Sequence, residues 1–542
     1  MRKILNMILR RVKEAESNRP RVPEPAVGRD KAQGPPYLTR DLDNNLKIIF
    51  DIAGRNPDLI VRHMEINLPG EARRCALLFL DEMVDSELMG SMIIEPVLKE
   101  LPQVIKSRRA YTSLVDVIEK NVLTIPGVRQ FASVSEIIGE VLRGNSALLL
   151  DKENKALICA NRAYEVRSVE EPTLETVVRG PKEGFTESLS TNMALLRRKI
   201  AGPNLRFDQL WIGKYSQTRV AVTYIYGIAD RGLVEEVKKR VSRISIDGVL
   251  DSGYIEQLIE DAPYSLFPTV GNTEKPDVVA ARLLEGKVAV LVDGSPVALT
   301  VPRLFYETIQ TPEDYYSRPY NSSVLRIIRL FFFISTVVLP GFYVAVVNYH
   351  PELIPRRLII TMAGDREGVP LPLVLEVVVF GIIFEGLREA GVRMPRAVGS
   401  AITIVGALLI GQATVDAGLV TSSTVIVTAF VGIAGFITPG LTDIFIIIRF
   451  FLVFLSGVLG ISGLIMGILV LYAHMCSLRS FGVPYMAPIA PLNFSQLKDV
   501  YIRAPLWHLT TRPSFIAKEN RRRMKEGLKP EPPEKGNNSS RK

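Results

Sequence analysis

The fold is decided by a run of 20 uncharged residues, Leu330–Tyr349 (LFFFISTVVLPGFYVAVVNY). A helix of that length spans the hydrocarbon core of a bilayer, which is about 30 Å thick. Further uncharged runs follow, and their succession argues against the buried core helices of a soluble protein. They are Ala397–Val415, Ala417–Thr442 and Phe450–Leu478, together with a shorter run, Val369–Phe384, which Glu376 interrupts.

Residues 323–482 are therefore expected to form an all-α transmembrane domain of four to six helices. Six helices result if Phe450–Leu478 is a helical hairpin. Four result if Phe450–Leu478 is one long helix and Ala417–Thr442 only dips into the membrane and returns. The sequence is compatible with both arrangements.

Positive charge near the ends of the apolar runs predicts which side of the membrane each end faces. Arg326 and Arg329 indicate a cytoplasmic end for the first run, although Arg356 lies on the side assigned to the exterior. No signal peptide is recognisable at the start of the chain. We expect a flexible basic N-terminus (1–39) and a basic C-terminal tail (483–542), both cytoplasmic.

The region before the apolar runs is expected to be a cytosolic α/β region built from two related subdomains. A strand-like run, Arg74–Asp81, precedes a helical stretch and then a hairpin-like pair that begins at Ala147. The same order recurs with Arg219–Tyr226 and a pair that begins at Val288. The two strand-to-hairpin separations are 71 and 68 residues, which indicates a repeat, with coincidence as the alternative. The predicted subdomains are 40–178 and 179–322, the second including the linker.

Composition excludes several classes of protein. With 47% hydrophobic and 23% charged residues among 542, the chain is not intrinsically disordered, and its three scattered cysteines do not form a disulfide framework. No phosphate-binding loop, dinucleotide fingerprint or zinc-ligand spacing is present. We predict that the chain is not an enzyme, with no catalytic residue, metal or cofactor. The net charge of +9 is concentrated in the tail, which suits an anionic lipid surface better than nucleic acid.

Polar and charged side chains inside the apolar half are the candidates for function. Such groups are costly in a bilayer unless they are paired or hydrated, and so they usually mark an ion or substrate path. Glu376 suits either an ion path or a structural pair with an arginine such as Arg449. Glu385 and Asp443 also suit ordinary headgroup positions at helix ends. The candidates for lining or gating an ion path are Glu376, Glu385, Gln412, Asp416, Asp443 and Arg449.

Small residues form a second pattern in the last apolar run. Glycines recur there at spacings of three, three and four residues, and such stripes let helices approach closely. The close approach is either packing within one subunit or contact between subunits of an oligomer. The glycines concerned are Gly457, Gly460, Gly463 and Gly467.

Specific motifs resemble one known family. The stretch Phe384–Ala413 (FEGLREAGVRMPRAVGSAITIVGALLIGQA) is closely similar to the A subunits of spore germinant receptors, the GerA family of endospore-forming bacteria. The resemblance extends from about residue 40 to residue 513, although Gly435–Gly440 (GFITPG) departs from the usual family version. Further matching motifs are Arg179–Pro181 (RGP), Pro312–Tyr316 (PEDYY), Cys476–Pro484 (CSLRSFGVP) and Leu497–Asp499 (LKD).

The resemblance implies a function that spacing alone does not supply. Members of the family lie in the inner membrane of the spore with B and C partner subunits, and they respond to nutrients by releasing monovalent cations. The A subunit is thought to form an oligomeric ligand-gated ion channel. The alternatives are an accessory germination protein similar to stage V sporulation protein AF, a secondary transporter, or a scaffold that the apolar helices merely anchor.

Overall fold

The computed structural model describes most of the chain between residues 36 and 531. The predicted basic N-terminus up to residue 35, most of the run Ala397–Val415 and most of the motif Gly435–Gly440 lie outside the described residues. Within 36–531 the positions left out are 55, 70, 82, 108–112, 164–171, 173–174, 176, 178, 394–409, 436, 438–441 and 526.

The first subdomain is a five-stranded antiparallel sheet covered by helices on both faces. Its strand order is β1-β2-β4-β5-β3. Alternate residues of β2 face opposite layers, so that Cys75 and Leu77 pack on one side and Ala76 and Leu78 on the other. Burial on both faces explains why this strand reads as a continuous apolar run. The strands are β1 Leu59–Leu68, β2 Glu71–Leu80, β3 Arg129–Phe131, β4 Ser146–Leu150 and β5 Ala156–Cys159.

Two pairs of helical segments cover this sheet. Leu42–Ala53 and Val134–Val141 pack on one face through their apolar sides. On the other face, Leu114–Asn121 packs beside an interrupted helix that includes wide π-type turns. The segments of that interrupted helix are Ser86–Met89, Gly90–Ile94, Pro96–Glu100 and Leu101–Ser107.

The second subdomain repeats the topology of the first. Its strand order, β6-β7-β9-β10-β8, is the same order shifted by five strands, and all its neighbouring pairs are antiparallel. The predicted repeat is therefore confirmed. The strands are β6 Leu205–Ile212, β7 Thr218–Ile225, β8 Gly271–Thr273, β9 Val288–Val292 and β10 Ala298–Val301, and the helices are Leu189–Lys199, Arg231–Ser242, Ser252–Ile259 and Pro276–Leu284.

A buried ion pair joins the two subdomains. Arg197 donates to both carboxylate oxygens of Asp58, at 2.8 and 3.3 Å, and the arginine side chain is only 1% exposed. The guanidinium of Arg197 also lies over the ring of Phe207, 5.1 Å from its centroid. Because one partner comes from each subdomain, the pair fixes the two subdomains relative to each other.

The apolar half is helical wherever the structure describes it. Two of its described helices are long and apolar enough to cross a membrane, Pro319–Tyr349 and Ile444–Ser477, the second being part of Thr442–Ser477. We call Pro319–Tyr349 the first apolar helix and Leu373–Arg393 the second. The other helical segments of this half are Pro351–Leu353, Arg356–Glu367, 410–416 and Ser422–Gly435.

The segment Thr442–Ser477 folds back on itself at Gly460. This glycine has φ +63° and ψ −144°, a conformation that side chains with a Cβ strongly disfavour. A Cβ built on Gly467 would lie 2.5 Å from Leu452 Cδ2, and one built on Gly463 would lie 2.2 Å from the carbonyl oxygen of Leu455. Residues on either side of Gly460 therefore touch, and of the two predicted arrangements the helical hairpin is the one observed.

The described part of the C-terminal tail packs against the second subdomain. Arg479–Ser480 and Val483–Pro484 form a short antiparallel pair. Ser480 Oγ donates to the carbonyl of Thr269 at 2.6 Å, and Tyr485 is fully buried. Further along, the tail contains the short 3₁₀ segments Leu497–Asp499 and Leu506–His508.

Both ends of the apolar half meet this same subdomain. The first apolar helix follows the short segments Phe305–Thr308 and Glu313–Tyr316 directly. At the other end, His474 Nε2 lies 2.9 Å from Ser265 Oγ. The apolar half thus begins and ends beside the second subdomain.

Candidate functional site

Glu376 is buried at the start of the second apolar helix, with no solvent exposure. Its Oε1 accepts hydrogen bonds from the backbone N–H and the hydroxyl of Thr421, both at 2.6 Å. The Thr421 hydroxyl lies 3.1 Å from that of Thr424, which lies 3.3 Å from Tyr343 Oη. Glu376 Oε2 is also buried, and it has no hydrogen-bond partner among the described residues.

This arrangement connects three helices through one carboxylate. Thr421 immediately precedes the helix Ser422–Gly435, so the carboxylate lies where unpaired N–H groups and the helix dipole favour negative charge. Tyr343 belongs to the first apolar helix, and Glu376 belongs to the second. The structural pair of Glu376 with Arg449, one of the two alternatives from the sequence, is not formed.

Arg449 instead pairs with Glu385. Arg449 Nη2 lies 2.7 Å from Glu385 Oε1, and Arg388 Nε lies 2.7 Å from Glu385 Oε2. The Arg449 and Glu385 side chains are 8% and 16% exposed. The nine-residue separation of Glu376 and Glu385 predicts opposite sides of the helix, and the two carboxylates do have separate partners.

Gln412 and Asp416 contact each other, as their four-residue spacing predicts. Gln412 Nε2 donates to Asp416 Oδ1 at 2.9 Å, and both side chains are exposed on the surface of the single chain. They are not part of the Glu376 or Glu385 contacts. The side chain of Asp443 lies outside the described part of the structure.

The four glycines of the last apolar run all meet neighbours within the chain. A Cβ built on Gly457 would lie 2.5 Å from Val374 Cγ2 of the second apolar helix. Gly460 makes the turn against Tyr349, and Gly463 and Gly467 let the two arms of the hairpin approach. The close contacts that these glycines make in the single chain are therefore contacts between its own helical segments.

A buried charge cluster lies where the soluble region meets the first apolar helix. Asp314 is 1% exposed and pairs with Arg326 at 2.7 Å and with Arg329. Arg326, which is also buried, reaches Asp499 of the tail at 2.9 Å. We call Asp314, Arg326, Arg329 and Asp499 the junction cluster. It links the second subdomain, the first apolar helix and the tail.

Tyr315 and Arg503 complete the surroundings of the junction cluster. Tyr315 Oη donates to Asp499 Oδ2 at 2.8 Å, and both Arg326 and Arg503 lie over its ring. Burial raises the pKa of Asp499 although Arg326 opposes the shift, and burial raises the pKa of Tyr315 well above its ordinary value. The cluster therefore requires its partners, because removing one strands another charge away from water.

Sequence reasoning missed this cluster. From the sequence, Arg326 and Arg329 indicate only a cytoplasmic helix end, and Asp314 and Asp499 are only parts of matching motifs. The signal available was the pair of arginines three residues apart, one helical turn, at the start of an apolar run.

A second buried set of charges lies beside it in the same subdomain. Lys287 pairs with Glu307, and burial lowers the pKa of Lys287. Burial also raises the pKa of Glu285 to about 7. Glu285 lines a small cavity together with Tyr306, Asp499 and residues of the tail. Among the described residues no group of three or more acidic, histidine or cysteine side chains is arranged to hold a metal ion.

Comparison with known proteins defines the class. The family model described as "Bacillus/Clostridium GerA spore germination protein" matches residues 47–515. Spore germination protein KA of Bacillus subtilis (strain 168) is 41% identical over 500 residues, covering 92% of this chain and 91% of the relative. The chain therefore belongs to the GerA family of spore germination proteins, and the resemblance stated from its motifs is confirmed.

Other relatives match this chain over regions of similar length. Spore germination protein GerLA of Bacillus cereus is 38% identical over 482 residues, covering 88% of this chain and 96% of the relative. The uncharacterized membrane protein YfkQ of B. subtilis is 37% identical over 485 residues, covering 89% and 93%. The crystal structure of the N-terminal domain of the A subunit of the Bacillus megaterium spore germinant receptor GerK3 covers 50% of this chain and 99% of that chain, with 33% identity and a TM-score of 0.40.

Proposed function

We propose that this chain is the A subunit of a nutrient-germinant receptor in the inner membrane of the spore, acting with B and C subunits. As an oligomer it forms a ligand-gated channel, and its opening releases monovalent cations and starts germination. Family membership supports the germination role. The observation that carries the channel step is the burial of Glu376 between apolar helices, where one of its carboxylate oxygens has no hydrogen-bond partner among the described residues.

The proposed topology is multi-pass, with both termini in the cytoplasm. Its support is that the first apolar helix begins, and the last arm ends, against the same subdomain. An even number of crossings returns the chain to the side on which it started. The fold-back at Gly460 favours six crossings over four.

The polar side chains divide into two proposed roles. Glu376 and the pair of Glu385 with Arg449 are gating contacts, because they hold different helices together in the shut arrangement. Gln412 and Asp416 line the ion path between subunits, because both are exposed on the single chain. Asp443 remains a candidate for the path.

Cation conductance of the reconstituted receptor tests the proposal. Glu376→Gln keeps a carbonyl oxygen to accept both hydrogen bonds from Thr421, so it removes the charge with little change of shape. Glu376→Ala removes the acceptor as well. We expect the glutamine variant to change conductance or cation selectivity and the alanine variant to leak without nutrient. Glu352→Gln is the matched control, because Glu352 is exposed and its pair with His350 lies in the short segment that follows the first apolar helix.

Two results would contradict the proposal. Unchanged conductance, selectivity and nutrient dependence in both Glu376 variants would remove Glu376 from the gating contacts. Absence of nutrient-dependent cation flux from the complete receptor, with A, B and C subunits present, would refute the channel itself. The second result would leave the germination role intact.

A scaffold role is the second candidate. Its supporting observation is that Glu385, Arg388 and Arg449 satisfy one another within a single chain. A scaffold predicts that charge-removing variants change only stability, whereas a channel predicts changed ion flux in variants that fold normally. The conductance measurement above separates the two.

A further inference from the structure

One loop of the second subdomain lies against the end of the last apolar arm. Ser265 Oγ is 2.9 Å from His474 Nε2, and the ring of Phe267 is 6.1 Å from that of His474. Phe267 is almost completely buried and also packs near Tyr485, with ring centroids 6.4 Å apart. The loop is therefore held against the helix end by a polar contact and an aromatic contact.

The outward side of this loop carries large apolar side chains. Tyr264 is 100% exposed and Leu266 is 40% exposed, although the residues on both sides of Leu266 are anchored. Val470 lies one helical turn before His474 and is 56% exposed. Exposed apolar side chains thus lie on both sides of the contact between Ser265 and His474, in the loop and in the helix.

The helix fixes the depth of the loop once the apolar half is placed in a membrane. Leu469 and Val470 then face hydrocarbon, and His474, about 6 Å further along the helix, reaches the layer of lipid headgroups. Tyrosine is favoured in that layer, because its ring is apolar and its hydroxyl is hydrated. Tyr264 and Leu266 lie at the same level, since Ser265 between them contacts His474.

We propose that the loop of residues 262–267 is a membrane-surface contact in which Tyr264 and Leu266 enter the headgroup layer of the bilayer. The proposal rests on the placement of the apolar helices in a membrane. It gives the second subdomain an attachment to lipid at a distance in sequence from the first apolar helix. The occupant of this surface is lipid.

Charge near the loop does not oppose contact with an anionic leaflet. The carboxylate of Asp261 is engaged by Arg240 at 2.7 Å and by the backbone N–H of Phe481. Burial raises the pKa of the neighbouring Glu260. The loop therefore presents its apolar side chains without an unpaired carboxylate of Asp261 beside them.

Spin labels on the full chain in lipid nanodiscs test the contact. Labels are attached to Tyr264→Cys, to Tyr37→Cys as an exposed control in the first subdomain, and to Leu469→Cys as a lipid reference. All three are made in a Cys476→Ser background, because Cys476 is the exposed one among the three free cysteines. Tyr264 is fully exposed among the described residues, and so its substitution leaves folding intact. Power saturation then compares accessibility to oxygen, which partitions into lipid, with accessibility to an aqueous nickel chelate.

We expect the oxygen-to-nickel ratio at position 264 to shift above the value at 37 and towards the value at 469. A ratio at 264 equal to that at 37, with 469 in lipid, would overturn this inference and leave the membrane placement standing. An aqueous ratio at 469 would overturn the membrane placement and this inference with it. A label at 264 that neither reagent reaches would mean that protein, such as a second copy of the chain, covers the loop, and the lipid assignment would be wrong.

Discussion

The junction cluster should be the most sensitive electrostatic feature at the start of the first apolar helix. Asp314→Asn keeps the shape of the side chain but removes the charge that faces Arg326 and Arg329. Asp314 is 1% exposed, and among the described residues Arg326 then retains Asp499, at 2.9 Å, as its charged partner. Removing one member of a buried ion pair costs about 3–5 kcal/mol, because the remaining charge stays buried without compensation. We expect about 3 kcal/mol, since Asp499 compensates in part.

Hydrogen exchange measured by mass spectrometry detects this loss of stability locally. A cost of about 3 kcal/mol corresponds to a roughly hundredfold faster exchange of protected amides around residues 312–322 and 497–504. Glu95→Gln is the matched control, because Glu95 and Lys99 also pair at 2.7 Å but both are exposed. Its local exchange should not change measurably. An acceleration of less than about fivefold in Asp314→Asn would refute the argument that burial makes this pair essential.

Three further predictions concern pH, backbone conformation and cysteine reactivity. Burial raises the pKa of Glu285 to about 7 from 4.5, so the folded state holds this proton more tightly than the unfolded chain does. The free energy of unfolding should fall as pH rises between these values, and Glu285→Gln should flatten that slope in denaturant titrations. Gly460→Ala should lower the thermal stability in detergent by about 1–3 kcal/mol, whereas Gly364→Ala, in a helix with open space around it, should not destabilise. Maleimide should modify Cys476 in the folded chain and spare the two buried cysteines, whose pKa values burial raises to about 12; mass spectrometry of the labelled peptides checks this.

The repeat in the α/β region could be predicted because the same order of strand-like run, helical stretch and hairpin occurs twice along the sequence. The runs Arg74–Asp81 and Arg219–Tyr226 are mostly apolar since both faces of each sheet are covered, and they overlap with β2 and β7. The edge strands β1 and β6 are not predicted from the sequence. Their burial is intermittent, and half-exposed strands such as Leu59–Leu68 mix charged with apolar residues without a clean alternation.

The polar contacts could be predicted only where both partners lie on one helix. Gln412 and Asp416 are four residues apart, and the spacing alone brings them together. Arg449 and Glu385 are separated by 64 residues, and so their pairing depends on how two helices pack. The position of the turn at Gly460 could not be predicted from the sequence for a related reason. The four glycines of that run look alike in sequence, and only one of them reverses the chain.

The position of Asp499 in the sequence has a consequence for the order of assembly. Arg326 and Asp499 are separated by 173 residues. At a synthesis rate of about 5–20 residues per second, Arg326 waits for roughly 10–35 s after it leaves the ribosome before its partner exists. During that interval the whole apolar half is made. Arg326 of the first apolar helix is thus paired with Asp499 only after the last apolar arm has been synthesised, so that the tail closes on a completed apolar half.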